Sequence, residues 1–121
     1  MSVILVVALA VLGGLGAVAR LLLDGAVSQR LARPLPFGTL AVNLSGAFAL
    51  GVLAGADVDG DALRLAGLGL LGSYTTFSTW MLESHRLAEH GALRLSLLNL
   101  AGSLAAGLGV AAVGHWLGSA L

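Results

Sequence analysis

Residues 72–80 read Gly72-Ser73-Tyr74-Thr75-Thr76-Phe77-Ser78-Thr79-Trp80, six hydroxyl side chains among nine positions, with Phe77 and Trp80 three apart. The stretch lies within an apolar run long enough to cross a bilayer, where polar groups are expensive and are functional candidates by default. Glycine, β-branched threonine and hydroxyls that compete for backbone hydrogen bonds together disfavour a continuous helix. Irregular backbone at membrane depth is tolerated only inside protein or beside a water-filled cavity. A broken helix frees carbonyls that can hold a cation and amides that can attract an anion. Phe77 and Trp80 are expected to project from one side of that break. Other neutral polar residues sit at similar depth: Asn43 and Ser45 in one apolar run, Asn99 and Ser103 four residues apart on one face of another. Arg20 closes the first run, near a boundary where it can snorkel. For each of these residues alone, the plainer alternative is an interhelical hydrogen bond worth about 1 kcal/mol.

Other chemistries are poorly served. Gly14-Leu15-Gly16-Ala17-Val18-Ala19 fits G-x-G-x-x-A, but the preceding apolar run is too long for a strand and no acid follows about 20 positions on. Asp57, Asp59 and Asp61 begin like a calcium loop, yet Ala62 stands where glycine is required and Leu68 where a glutamate must close the site. His85, His90 and His115 show no i, i+4 pairing of the kind zinc uses and read as interfacial residues. No Ser-His-acid or paired-carboxylate arrangement is present, so no enzyme is expected.

The elements that must position these residues follow from composition. Of 121 residues 58% are hydrophobic and 10% charged, and the mean hydropathy is +0.99. An ordinary soluble domain is about 25% charged. So short and apolar a chain cannot cover itself with polar surface, and lipid is its natural solvent. Four spans are expected, at about 3–23, 38–56, 62–82 and 93–117, in a single transmembrane domain covering 1–121. The first resembles a signal peptide at Ala17-Val18-Ala19 but lacks a basic leading region, so it reads as a spanning helix. Asp24 to Pro36 reads as an interfacial turn with at most a short helix, Asp57 to Asp61 as a tight polar turn, and Ser84 to Gly91 as the third connection. Eighteen glycines let helices approach closely in lipid; Gly51 and Gly55 share one face, as do Gly114 and Gly118. So small a bundle has little interior for a transport path, and dimerisation is expected. Net charge is zero, all six basic residues are arginine, and cysteine is absent. Neither nucleic-acid binding nor disulfides fit. Arg30, Arg33, Arg86 and Arg94 lie in or beside the odd-numbered connections and Arg64 on the opposite side, which places those connections in the cytoplasm and both termini outside.

The order Gly-Gly-x-Gly-Ala-x-x-Arg (Gly13 to Arg20), then Pro36-Phe37-Gly38-Thr39-Leu40-Ala41-Val42-Asn43 with Gly46, then Thr75-Thr76-Phe77-Ser78-Thr79 and Glu83, resembles the Fluc (CrcB) fluoride channels over nearly the whole chain. The resemblance implies an all-α membrane protein whose four transmembrane helices, the third broken, form an antiparallel, dual-topology dimer. It implies two fluoride pores and a structural sodium ion at the dimer centre. By motif matching, Phe77 and Trp80 are the pore aromatics, Asn43 the pore asparagine, Ser103 the serine of a fourth-span polar track, and Thr76 and Thr79 pore-lining hydroxyls. Gly72 and Thr75 match the positions whose backbone carbonyls hold sodium, and Arg20 and Glu83 the family's first-span arginine and third-span glutamate. Ser73 stands where the family commonly has glycine, and Trp80 where it usually has phenylalanine.

That expectation agrees with the residues. Fluoride is small and strongly hydrated, so a selective pore must replace its water with many donors. Asn amides and Ser/Thr hydroxyls donate hydrogen bonds, and an aromatic edge carries partial positive charge. A fixed cation in mid-pore would hold the ion too firmly for exit. Passive export of cytoplasmic fluoride across the cell membrane, without nucleotide or redox cofactor, is the expected function. A small multidrug transporter subunit is the alternative. Such proteins carry a membrane-embedded glutamate in the first span, whereas here the nearest acid is Asp24, past Arg20. A non-transporting scaffold explains the glycines but not the hydroxyl-rich break. The arginine bias leaves open whether the partner is a second copy or a paralogue of opposite bias.

Overall fold

The computed structural model describes residues 2–31 and 35–121, and every one of its regular elements is helical. Helix α1 spans Val3–Arg30 and α2 spans Phe37–Gly55. The third hydrophobic segment is built in pieces: α3 (Gly60–Leu63), a π-helical stretch (Arg64–Leu71), α4 (Gly72–Tyr74), an interruption at 75–77, and α5 (Ser78–Glu89). Helix α6 spans Leu93–Gly118. Arg33, one of the four arginines of the charge bias, lies outside the described residues.

Helix α1 starts where Ser2 Oγ accepts the Leu5 amide at 3.1 Å, a side-chain N-cap. Its 28 residues reach about 42 Å at 1.5 Å per residue, more than the ~30 Å hydrocarbon thickness. The interfacial turn expected from Asp24 onward is therefore helical as far as Arg30. The extension is supported by Ser28 Oγ donating to Asp24 Oδ1 at 3.2 Å, one turn apart. Gly38, at the start of α2, sits against the same two side chains with no room for a Cβ.

Helices α2 and α6 pack most extensively on each other. A Cβ on Gly51 or Gly55 would overlap the carbonyls of Ala111 and His115, and one on Gly114 or Gly118 those of Phe48 and Val52. The two glycine pairs thus interlock, and backbone meets backbone. On the other side α1 crosses the π-helical stretch. Gly16 lies against Ser73 and the Leu70 carbonyl, and Gly69 against Leu9 and Leu12.

Few side chains are enclosed: among the described residues the buried apolar ones are Leu5 and Val42. Helices α1, α2 and α6 are each long and apolar enough to cross a membrane, and most of each faces outward. The third segment is interrupted near its middle, as its glycine, threonine and hydroxyl content predicts.

The interrupted third segment as candidate functional site

The break begins at Thr75, whose backbone is extended (φ −79°, ψ 159°) after the helical Tyr74, and helix resumes at Ser78. Asn43 on α2 holds it open. Its Oδ1 accepts the Thr76 amide at 2.9 Å and its Nδ2 donates to the Thr76 carbonyl at 2.8 Å. One amide side chain therefore replaces both backbone partners that Thr76 loses by leaving the helix. The second N–H of Asn43 remains free to act as a donor.

Diverting Thr76 leaves polar backbone on both sides of the break. Among the described residues, no hydrogen bond reaches the carbonyls of Gly72, Ser73, Tyr74 or Thr75 from the segment that follows. On the far side Thr76 Oγ1 accepts the Thr79 amide at 3.2 Å, a helix N-cap arrangement, and the amides of Phe77 and Ser78 have no acceptor among the described residues. Carbonyls thus gather at the end of α4, and free donors at the start of α5, where the helix dipole also favours negative charge. Upstream, Ser73 Oγ donates to the carbonyls of Gly69 (2.9 Å) and Leu70 (3.0 Å), and Thr75 Oγ1 to that of Leu71 (3.0 Å). The hydroxyls of the motif therefore divide: Ser73 and Thr75 supply the π-helical turn, and Thr76 caps α5.

Three cavities meet around the break. One of about 720 Å³ is lined by Asn43, Gly72, Thr75, Thr76, Phe77 and Trp80, with Arg64 toward one end. A second, about 470 Å³, is lined by Asn43, Trp80 and Ser103 with apolar residues of α2 and α6. A third, about 130 Å³, is lined by Arg20, Asp24, Thr39, Thr76 and Thr79. Asn43 and Trp80 border the first two, and Thr76 joins the first to the third. Phe77 and Trp80 form an edge-to-face pair, 5.7 Å between centroids with planes at 87°, and Phe77 is 69% exposed. Both rings lie on one side of the break.

Arg20 and Glu83 stand apart from each other. Glu83 accepts a short 2.5 Å hydrogen bond from Thr39 Oγ1, and no ion pair joins it to Arg20 among the described residues. The Nε of Arg20 is buried without a hydrogen-bond partner among the described residues, beside the 130 Å³ cavity. Thr39, 4% exposed, thus links the start of α2 to α5 in a way residue type alone does not reveal. Asn99 and Ser103, for which an interhelical hydrogen bond was the plainer alternative, join Ser84 and Ser96, which residue type did not single out, in a polar cluster between α5 and α6. Ser96 Oγ donates to the Ser84 carbonyl (2.7 Å), Asn99 Nδ2 to Ser84 Oγ (2.8 Å) and Ser103 Oγ to Asn99 Oδ1 (3.3 Å). The spacing 96, 99, 103 is one helical face, which was the available clue; Ser84 lay in what reads as a connection.

The sequence model for the family described as CrcB-like protein, Camphor Resistance (CrcB), matches residues 7–115. A relative named fluoride-specific ion channel FluC 2 from Mycobacterium tuberculosis is 50% identical over 106 residues, 88% of this chain and 84% of that protein. The FluC 2 of Mycolicibacterium paratuberculosis is 50% identical over 111 residues, 92% and 91% of the two chains. The FluC 1 of Leifsonia xyli subsp. xyli is 42% identical over 122 residues, covering 98% and 89%. A family match across nearly the whole chain, relatives at half identity, and an all-α fold with three apolar spanning helices and a broken third segment lead to one assignment: this multi-pass membrane protein belongs to the CrcB family.

Proposed function

We propose that the chain is a subunit of a fluoride-selective channel that lets cytoplasmic fluoride leave down its electrochemical gradient. The observation that carries this reading is the interruption at 75–77. It leaves the amides of Phe77 and Ser78 without acceptors among the described residues, beside cavities lined by Asn43, Thr76 and the edge-to-face pair Phe77 and Trp80. Those are neutral donors and ring edges, matched to a small anion that must be stripped of water yet released. The names of the relatives support the choice of ion.

In this reading Asn43, Phe77 and Trp80 line the path beside the break, with Thr76 and Thr79 as hydroxyl donors on its Arg20 side and Ser103 on its α6 side. Arg20, near one end, raises the local anion concentration without standing in mid-path. Glu83 and Thr39 occupy that same end. The chain acts as one four-span domain, with spans at about 3–23, 38–56, 62–82 and 93–117, and no step needs a nucleotide or redox carrier.

The pore is completed by a second subunit packed antiparallel to the first, giving two paths per dimer. Phe77 and both large cavities are open to the outside of a single chain, and a dimer closes them against lipid. A sodium ion at the centre of that dimer fits the donor set, because the carbonyls of Gly72 and Thr75 lack the amides that a continuous helix would supply. Held by those carbonyls, sodium would supply a fixed positive charge near the break. The arginine bias favours a paralogous partner of opposite orientation over self-pairing.

Reconstitution into fluoride-loaded liposomes, read with a fluoride electrode, tests the function. Efflux well above empty vesicles, with chloride retained, is expected. Release no faster than from empty vesicles, both for this chain alone and for this chain with its paralogue, rejects the reading. A drug transporter would instead show cation-coupled efflux of an organic cation.

A further inference from the structure

Trp80 differs from a phenylalanine by one hydrogen-bond donor, and the structure uses it. Trp80 Nε1 donates to the backbone carbonyl of Asn99 on α6 at 3.1 Å. The Asn99 side chain returns to α5, donating through Nδ2 to Ser84 Oγ at 2.8 Å, and Ser84 Oγ in turn donates to the Trp80 carbonyl at 2.8 Å. The three residues form a closed circuit between α5 and α6. Ser96 Oγ braces it through the Ser84 carbonyl at 2.7 Å. Ser84, Ser96 and Asn99 are 2%, 4% and 6% exposed, so the circuit is sheltered from both lipid and water. In such surroundings each hydrogen bond is strong and each broken one costly.

We infer that Ser84 and Asn99 are positioning residues that lock the Trp80 indole at the junction of the 720 and 470 Å³ cavities, with its N–H turned away from the ion path. The inference rests on the fluoride-conduction reading and adds to it a device specific to this ring. A free indole N–H beside the path would be a strong extra donor to a dehydrated anion and would slow its exit. Committed to the Asn99 carbonyl, the N–H is withheld, and the anion meets the edge of a ring that cannot rotate. The Phe77 ring, stacked edge-to-face on Trp80, is held in register by the same lock.

Two measurements test this. The first is independent of conduction. In Trp116→Phe protein labelled with ¹⁵N-tryptophan, Trp80 is the sole indole, and its N–H is expected to exchange slowly with D₂O. Ser84→Ala is expected to speed that exchange roughly tenfold, the size of one lost hydrogen bond. Exchange in the unmutated Trp80 background as fast as that of free tryptophan overturns the lock, whether or not Ser84→Ala folds. The second is a double-mutant cycle on the fluoride-to-chloride flux ratio. Ser84→Ala is expected to lower the ratio when residue 80 is tryptophan and to leave it unchanged in Trp80→Phe. An equal effect of Ser84→Ala in both backgrounds assigns Ser84 a general packing role and overturns the inference. Slow indole exchange with no fluoride flux, both for the chain alone and with its paralogue, would instead reject the conduction reading while leaving the lock itself standing.

Discussion

Asn43 does two things with one side chain. Its bidentate bond to Thr76 holds the backbone out of helix, and the residue also lines both the 720 and the 470 Å³ cavities. Asn43→Ala removes both bonds and leaves the Thr76 amide and carbonyl without partners. A loss of about 2–4 kcal/mol of stability is expected, together with loss of fluoride flux. Thermal unfolding in detergent and liposome efflux measure the two effects. Ser45→Ala, two residues further along α2, breaks only a hydroxyl contact to Tyr74 and a local bond to the Val42 carbonyl, so flux near wild type is expected. Phe77 makes a different prediction because it is largely exposed in the single chain. Phe77→Ala is expected to cut flux roughly tenfold, the scale of one aromatic edge contact, while leaving assembly intact. Size-exclusion elution paired with efflux separates the two; wild-type flux from a well-assembled variant removes Phe77 from the path.

Between elements, α2 and α6 meet backbone to backbone at Gly51, Gly55, Gly114 and Gly118, where there is no side chain to give way. Gly114→Ala places a methyl against the Phe48 carbonyl, and neither helix can yield locally. Separating them is expected to cost about 1–3 kcal/mol, seen as a lowered melting temperature. Gly109→Ala is the matched control on the same helix, since its added Cβ meets nothing within 4 Å. It is expected to be neutral or slightly stabilising. Much of this was legible beforehand: glycines at 51 and 55 and at 114 and 118 share faces, and small faces pack. Which helix met which was not, since glycines occur in all four hydrophobic segments and only the folded contact set selects the pairing. The same holds for the break, where composition placed the interruption but not the residue that supports it.

At the level of the whole chain, charge rather than packing sets orientation. Arg30, Arg86 and Arg94 flank the odd connections of the described structure, while Arg64, on the other side, is paired with Asp61 at 3.1 Å. A single orientation in the membrane is expected, with termini outside. The chain has no native cysteine, so Ser119→Cys offers a clean probe. Labelling of essentially all copies by a membrane-impermeant maleimide on intact cells supports a paralogous partner. Labelling of about half supports self-pairing, the outcome a charge-neutral bias would give.

The sequence by itself determined the solvent, the number of hydrophobic segments, the site of the interruption and the family. Each of these follows from local composition or from the order of residue types, which no tertiary contact can alter. The tertiary structure decided who supports whom. Asn43 takes over the partners of Thr76, Thr39 binds Glu83, and Asn99 closes on both Ser84 and Trp80. Those pairings join positions 15–44 residues apart. A buried donor or acceptor must find whichever partner the packing brings within about 3 Å, and spacing along the chain does not encode that distance.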